Sequence, residues 1–188
     1  MKSPLLPILL GCATLFVACE RNSYKIEGTQ EGLNDGDTLF LVKDLNTGLP
    51  TDTMIVTEGS FLYSGQADTA TLAMLYLQKN PDISSTLFLE PGTINVHVAK
   101  EAGTITIGGT QANEALQEAN EIISVYGKKM QELSALATTA PISQLSELNM
   151  MKQLKQLQTD MTDRIQKLAD QNKDNAFGQF IESNLITE

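Results

Sequence analysis

Two side chains often used as metal ligands, bases and nucleophiles are scarce in this chain, which has one histidine and two cysteines. His97 lies in the run INVHV, where it alternates with Ile94, Val96 and Val98 and so faces away from the apolar side of a strand. A lone imidazole lacks the further ligands a metal needs and the partner a general base needs, so His97 is expected on the surface. Gly108, Gly109 and Thr110 precede a helical segment and could hold an anion on free N–H groups. A strand-to-helix turn with a capping Thr requires the same residues, and the turn is the expected role. Glu90, before Pro91 and Gly92, reads as a strand end rather than a polar contact point. Met130, Met150, Met151 and Met161 fall on helical stripes, so core filling is expected ahead of an adaptable binding surface. No catalytic, cofactor-binding or metal-binding constellation emerges, and a non-enzymatic function is the expectation.

Cys19 is different because of what surrounds it. Lys2 and the α-amino group form a short positive region, residues 5–17 are almost unbroken apolar, and the small Ala18 stands immediately before Cys19. This is the layout of a secretory signal. An apolar run of about 13 residues is shorter than the roughly 20 that a spanning helix requires. The FVAC tetrapeptide resembles the lipobox of bacterial lipoprotein precursors, with Phe16 where Leu is usual. The resemblance implies cleavage after residue 18 and a lipid on Cys19. Each buried lipid CH₂ contributes about 0.8 kcal/mol to membrane attachment. Cys12 leaves with residues 1–18 and Cys19 becomes a thioether, so the mature chain is expected to have no free thiol and no disulfide chemistry. Glu20 and Arg21 follow, rather than a run of acids, which points the anchored protein towards the periplasm.

Thirteen bases stand against 23 acids. Removing residues 1–18 takes away one lysine and no acid, leaving 12 against 23, a net charge of about −11 by that count. Nucleic acid is therefore excluded as a partner, since phosphate binding needs clustered Lys and Arg. By the same reasoning, anionic lipid head groups are poor partners for the folded part.

Two periodicities divide the mature chain at residue 109. Over residues 19–109, strand-sized runs rich in β-branched and aromatic residues alternate with turn signals: YKIEGT, GDTLFLV, TDTMIVTEGSFLYSG, LAMLYLQ, STLFLEPG, INVHVAK and TITIGG. Asn34, Asp35 and Gly36 mark one turn, and Thr57, Glu58 and Gly59 stand at hairpin spacing. Seven or eight such strands predict an antiparallel β-sandwich or open barrel. Over residues 110–188 the period is helical. Leu116, Ala119, Ile123, Tyr126, Met130, Leu133 and Ala137 form one stripe, Ala140 and Pro141 interrupt it, and Met150, Leu154, Leu157, Met161, Ile165 and Leu168 form a second. The pair predicts an αα-hairpin. Lys173, Asp174 and Asn175 make a polar break before a short amphipathic helix carrying Phe177, Phe180, Ile181 and Leu185 and running to Glu188. The fold class is thus α+β. Met151, Leu145, Leu148, Ile122 and Leu136 lie beside the two stripes, a surplus apolar face that must pack on the β-module, a second copy or another chain.

Taken together, these motifs resemble the N-terminal domain of unknown function (DUF4369 type) that precedes the thioredoxin-like domain in TlpA-type thiol-disulfide oxidoreductase lipoproteins of Bacteroidota. The likeness rests on residues 52–65 (DTMIVTEGSFLYSG), which match that domain's Asp-Ser-x-x-Val-x-x-Gly-x-Phe-x-Phe-x-Gly hairpin. It extends through Glu90, Pro91 and Gly92, the strand INVHV, and residues 108–113 (GGTQAN) leading into helices. The resemblance implies a cell-envelope setting near thioredoxin-like proteins. The enzymatic members carry a Trp-Cys-x-x-Cys motif that has no counterpart among these 188 residues, so no catalytic residue carries over. The expected function is a lipid-anchored interaction or ligand-sensing module, with a thioredoxin-like protein or a second copy as partner. The alternative is a truncated or split component of a thiol-disulfide oxidoreductase.

Overall fold

A computed structural model describes residues 22–30, 33–99, 104–139 and 144–185. Cys12, Cys19, Ala140, Pro141 and Glu188 lie outside the described residues, as do the side chains of Ala137, Leu145 and Leu185. The chain forms β1 (Ser23–Gln30), β2 (Thr38–Val42), β3 (Asp52–Ile55), β4 (Ser60–Gln66), β5 (Thr71–Leu77), β6 (Asn80–Leu89), β7 (Gly92–Val98) and β8 (Ile105–Gly108). Three helices follow: α1 (Gln111–Thr139), α2 (Gln144–Gln171) and α3 (Ala176–Leu185).

The strands make two four-stranded sheets, ordered β4-β1-β7-β8 and β3-β2-β5-β6, which face each other as a sandwich and do not close into a barrel. Their alternation explains the core. Ile26, Ile94, Val96 and Val98 of the first sheet and Leu39, Leu41, Leu75 and Leu87 of the second are buried between the layers. Two features differ from a simple antiparallel reading. β1 and β7 pair in parallel, Tyr24 opposite Gly92, because the chain visits the second sheet between them. The 57–60 turn is tight, with Glu58 and Gly59 both at positive φ (51° and 73°) and a single bridge between Thr57 and Ser60. Beyond that one rung its strands part, β3 joining one sheet and β4 the other, so the turn links the layers rather than closing a hairpin within one.

Glycines fit β1 to β4 at two cross-strand pairs. Tyr24 lies opposite Gly65 and Phe61 opposite Gly28. A Cβ on Gly65 would sit 2.4 Å from the Tyr24 hydroxyl, and one on Gly28 would sit 2.0 Å from the Phe61 ring. Each ring therefore covers the bare backbone of the facing strand. This gives a packing reason for the Gly that ends the 52–65 motif.

The helices cover the outer face of the second sheet near the ends of β5 and β6. There Phe88 and Leu72 pack with Ala112, Ala115, Ala119, Ile122, Ile165, Leu168, Ala169, Phe177 and Phe180, in a second core. Phe88 and Phe180 meet edge to face, ring centroids 6.0 Å apart. The buried face of α1 is rotated from the expected stripe: Ile122 packs on this core while Ile123 is 49% exposed. Adjacent isoleucines point about 100° apart on a helix. Ala112, Ala115 and Ala119, small enough for close approach, settle which of them turns inward. Asn175 caps α3, its Oδ1 accepting the N–H groups of Phe177 (3.0 Å) and Gly178 (3.3 Å).

Strand directions define two poles. β1 and β7 start at one pole, where β2 ends (Lys43 beside Tyr63), β4 ends and β8 ends. α1 also begins there, Thr110 lying beside Gly92, and it runs back along β8, where the Gln117 side-chain oxygen accepts the Ile107 N–H. Its 29 residues span about 43 Å, against about 26 Å for the eight-residue β1, so the α1–α2 hairpin overhangs the far pole. Among the described residues no helix is long and apolar enough to cross a membrane.

Candidate functional site

The direction of the hairpin is set where α1 leaves the sandwich. β6 is an edge strand, so the outward N–H and C=O of Phe88 have no strand to pair with. Asn113, fully buried, takes that place: its Oδ1 accepts the Phe88 N–H (2.8 Å) and its Nδ2 donates to the Phe88 carbonyl (2.8 Å) and to Thr110 Oγ1 (2.8 Å). Glu90 Oε1 accepts the Ala112 N–H (3.2 Å), placing a carboxylate at the positive end of α1. Two sequence expectations change here. Glu90 is a polar contact on the helix rather than only a strand end, and the Thr110 hydroxyl accepts a side-chain amide while Glu90 takes the free backbone N–H. Gly108 and Gly109 form the expected turn. Gly109 has φ +89°, and a Cβ there would lie 2.4 Å from the Thr93 carbonyl oxygen.

His97 is exposed on the outer face of β7, as its alternation predicts. It lines an open groove of about 750 Å³ between the first sheet and α1, with Glu27, Glu114, Glu118 and Glu121. Among the described residues no group of three or more His, Cys, Asp or Glu is placed to hold a metal.

The distal hairpin has a different character. Among the described side chains Tyr126 is the last buried one of α1, with Lys129 Nζ 5.1 Å and the Arg164 guanidinium 5.8 Å from its ring centroid. Beyond it, over residues 127–136 and 148–164, no described side chain is buried. The seam residues Met130, Leu133, Met150, Leu154, Leu157 and Met161 are half-buried between the two helices, whereas Leu136 (63%), Leu148 (66%) and Met151 (63%) are exposed. Met151 is therefore not core filling, and the packing of Leu136 and Met151 on the β-module does not occur. Leu148, Met151, Leu154, Lys152, Lys155 and Gln158 line an open depression of about 800 Å³ on α2. Residues 127–164 carry five bases and four acids of the chain's 13 bases and 23 acids, which leaves eight bases against 19 acids elsewhere. The overhang is a basic, apolar tip on an acidic body.

At the opposite pole, Lys43 joins the two sheets. Its Nζ lies 2.7 Å from Asp52 Oδ2 and donates to the Tyr63 hydroxyl at 3.0 Å. Burial by itself would raise the pKa of Asp52, but hydrogen bonds from Lys43 and Tyr63 and the lysine charge outweigh it and hold the carboxyl below its usual range. Burial would likewise lower Lys43, and the same partners raise it instead. The Tyr24 hydroxyl is enclosed beside this group with no hydrogen-bond partner among the described residues, and burial pushes its pKa up. The side chain of Asp52, which opens the 52–65 motif, thus acts as a structural ion-pair partner. Cys19, the one site residue the sequence singles out, lies outside the described residues.

Residues 24–116 match the family model described as a domain of unknown function (DUF4369). That span covers all eight strands from Tyr24 onward, the Glu90 cap and the Asn113 contact, and it ends within α1. No curated protein matches the chain.

Proposed function

We propose that this is a non-enzymatic, lipid-anchored cell-envelope protein that works as an interaction module, with the β-sandwich as platform and the helical hairpin as the docking element. The observation that carries the reading is the overhanging hairpin, whose outer half leaves Leu148 and Met151 exposed beside Lys152 and Lys155 on α2, and Leu136 exposed on α1. Contiguous exposed apolar area rimmed by charge marks protein-interaction surfaces. The charge of the tip selects a partner protein with an acidic face, and the family resemblance makes a thioredoxin-like envelope protein the partner to test first. A second copy of this acidic chain has the right charge too. The signal layout ending at Ala18 and Cys19 supports the anchor.

Two measurements test the two halves. Metabolic labelling with a fatty-acid probe is expected to mark the wild type and not Cys19→Ala; equal labelling of both refutes the anchor. Cross-linking in the envelope and light scattering of the unlipidated chain test the hairpin. Met151→Glu with Leu136→Glu is expected to abolish the cross-linked species while leaving the thermal unfolding midpoint unchanged. Cross-linking that survives both substitutions refutes the docking role.

A further inference from the structure

Among the described residues, the exposed large apolar side chains of the β-module are Ile55 and Leu62, single positions on β3 and β4, and Leu45 (42% exposed) and Leu49 (67%), which share the β2–β3 loop. This loop holds its own shape. The Asn46 N–H donates to Asp44 Oδ1 (3.0 Å), Thr47 Oγ1 and the Gly48 N–H donate to the Asp44 carbonyl (3.0 and 3.2 Å), and Gly48 has φ +64°. At its base Lys43 ties it to Asp52 and Tyr63, and the Thr51 hydroxyl donates to the Leu41 carbonyl at 2.9 Å. The loop is a built projection whose leucines meet no core.

Its position says what they meet. The loop leaves the sandwich at the pole where β1 begins, Lys43 lying beside Tyr63 while the Tyr24 and Tyr63 rings are 6.2 Å apart. Cys19 precedes Asn22 by three residues, and a chain advances at most about 3.6 Å per residue, so the attachment point can be no further than about 11 Å of chain from Asn22, at the start of β1. The hairpin tip, about 43 Å along α1, points away from it. The carboxylate of the loop, Asp44, accepts the Asn46 N–H and side-chain amide (3.0 and 3.3 Å), and its acidic character favours a zwitterionic bilayer surface over an anionic one.

We infer that residues 44–50 form a membrane-contact loop, with Leu45 and Leu49 entering the interface of the bilayer that holds the Cys19 lipid. This rests on the anchor reading above. It adds a second point of attachment, which fixes the orientation of the molecule and holds the hairpin upright, away from the lipid surface.

The test uses the full lipidated protein. With residues 1–18 removed and Cys19 in thioether linkage, Leu49→Cys supplies the sole free thiol, and it is labelled with an environment-sensitive fluorophore. The protein is reconstituted in phosphatidylethanolamine–phosphatidylcholine vesicles with and without a lipid bearing a nitroxide on its acyl chain. Thr69→Cys, on the β4–β5 loop of the same pole, reports mere proximity, and Met151→Cys reports the far pole. Interfacial side chains penetrate about 5–10 Å, so quenching at Leu49→Cys is expected to exceed that at Thr69→Cys by at least about twofold, with Met151→Cys unquenched. Quenching at Leu49→Cys no greater than at Thr69→Cys overturns the loop proposal and leaves the anchor standing. The unsubstituted protein separates the two failures. If it takes up the thiol label and does not float with vesicles, Cys19 carries no lipid, and the anchor and the loop proposal fall together.

Discussion

Replacing Asn113 by Leu tests the contact that aims the hairpin. The substitution keeps nearly the same volume, so the loss is polar rather than steric. It strips the Phe88 N–H and carbonyl of their partners at a site where Asn113 is fully buried and Phe88 is 3% exposed. Each stranded buried group costs about 1–3 kcal/mol, whereas the Thr110 hydroxyl, half-buried, can turn to water. The gain from a more apolar side chain offsets one of these in part, leaving a net loss of about 2–5 kcal/mol. For a chain of this size that lowers the unfolding midpoint by roughly 5–15 °C. Urea and thermal unfolding of the unlipidated chain, followed by far-ultraviolet circular dichroism, measure the free-energy loss and the midpoint shift. Asn113→Asp is the companion: it retains an acceptor for the Phe88 N–H but turns a carboxylate oxygen towards the Phe88 carbonyl, which raises its folded pKa. Its deficit should therefore shrink as pH falls and the carboxyl protonates, and grow as pH rises above about 4. A loss below about 1 kcal/mol for Asn113→Leu, with no pH dependence for Asn113→Asp, would refute the reasoning.

Gly109→Ala forces a left-handed backbone onto alanine and drives its Cβ into the Thr93 carbonyl; it should cost at least about 2 kcal/mol in the same assay, and a neutral result would mean the turn relaxes freely. Asp52→Asn should cost about 0.5–1 kcal/mol at neutral pH, the modest figure for a pair whose side chains are 28% and 37% exposed. Because the folded Asp52 pKa is depressed, the wild-type advantage is present above the unfolded value of about 4 and is lost as pH falls through the folded one. The raised Lys43 pKa keeps the advantage up to about pH 10.5, with loss as pH rises through its folded value. Unfolding midpoints of wild type and variant that differ equally at pH 7 and pH 2 would contradict the ion-pair account.

The eight strands and three helices were legible because alternation and the three-four period report directly which residues share a face. Tyr24 to Gly28, the INVHV run and the two long helices fell where the pattern placed them, although the buried face of α1 is turned from the expected stripe. Periodicity does not report what lies against a face. Ile122 and Ile123 fit a helical stripe almost equally, and the choice came from the alanines that let α1 approach β6. Leu136 and Met151 carried the same apolar signal as buried residues, yet they sit past the end of the sheet that would have covered them. Asn113 was hidden for another reason: its partner is the backbone of a residue 25 positions earlier, which has no side-chain signature. The parallel β1–β7 pair and the two poles were equally out of reach, since both depend on register between distant strands.

That register also gives a reason for a buried asparagine where a leucine would supply more apolar contact. Apolar packing of α1 on Phe88 tolerates small rotations of the helix, because dispersion and burial change little with angle. A pair of hydrogen bonds to one residue's N–H and carbonyl does not, since both weaken steeply as the geometry departs from linear. α1 is a lever of about 43 Å, so ten degrees at Asn113 moves the hairpin tip by roughly 7 Å. With Glu90 fixing the same helix end and the leucine loop set at the same pole, the elements that fix the direction of the lever cluster beside its fulcrum. Asn113→Leu should therefore reduce hairpin cross-linking to a partner even at temperatures where the variant remains folded. A variant that is destabilised but cross-links as wild type would assign the asparagine to stability alone.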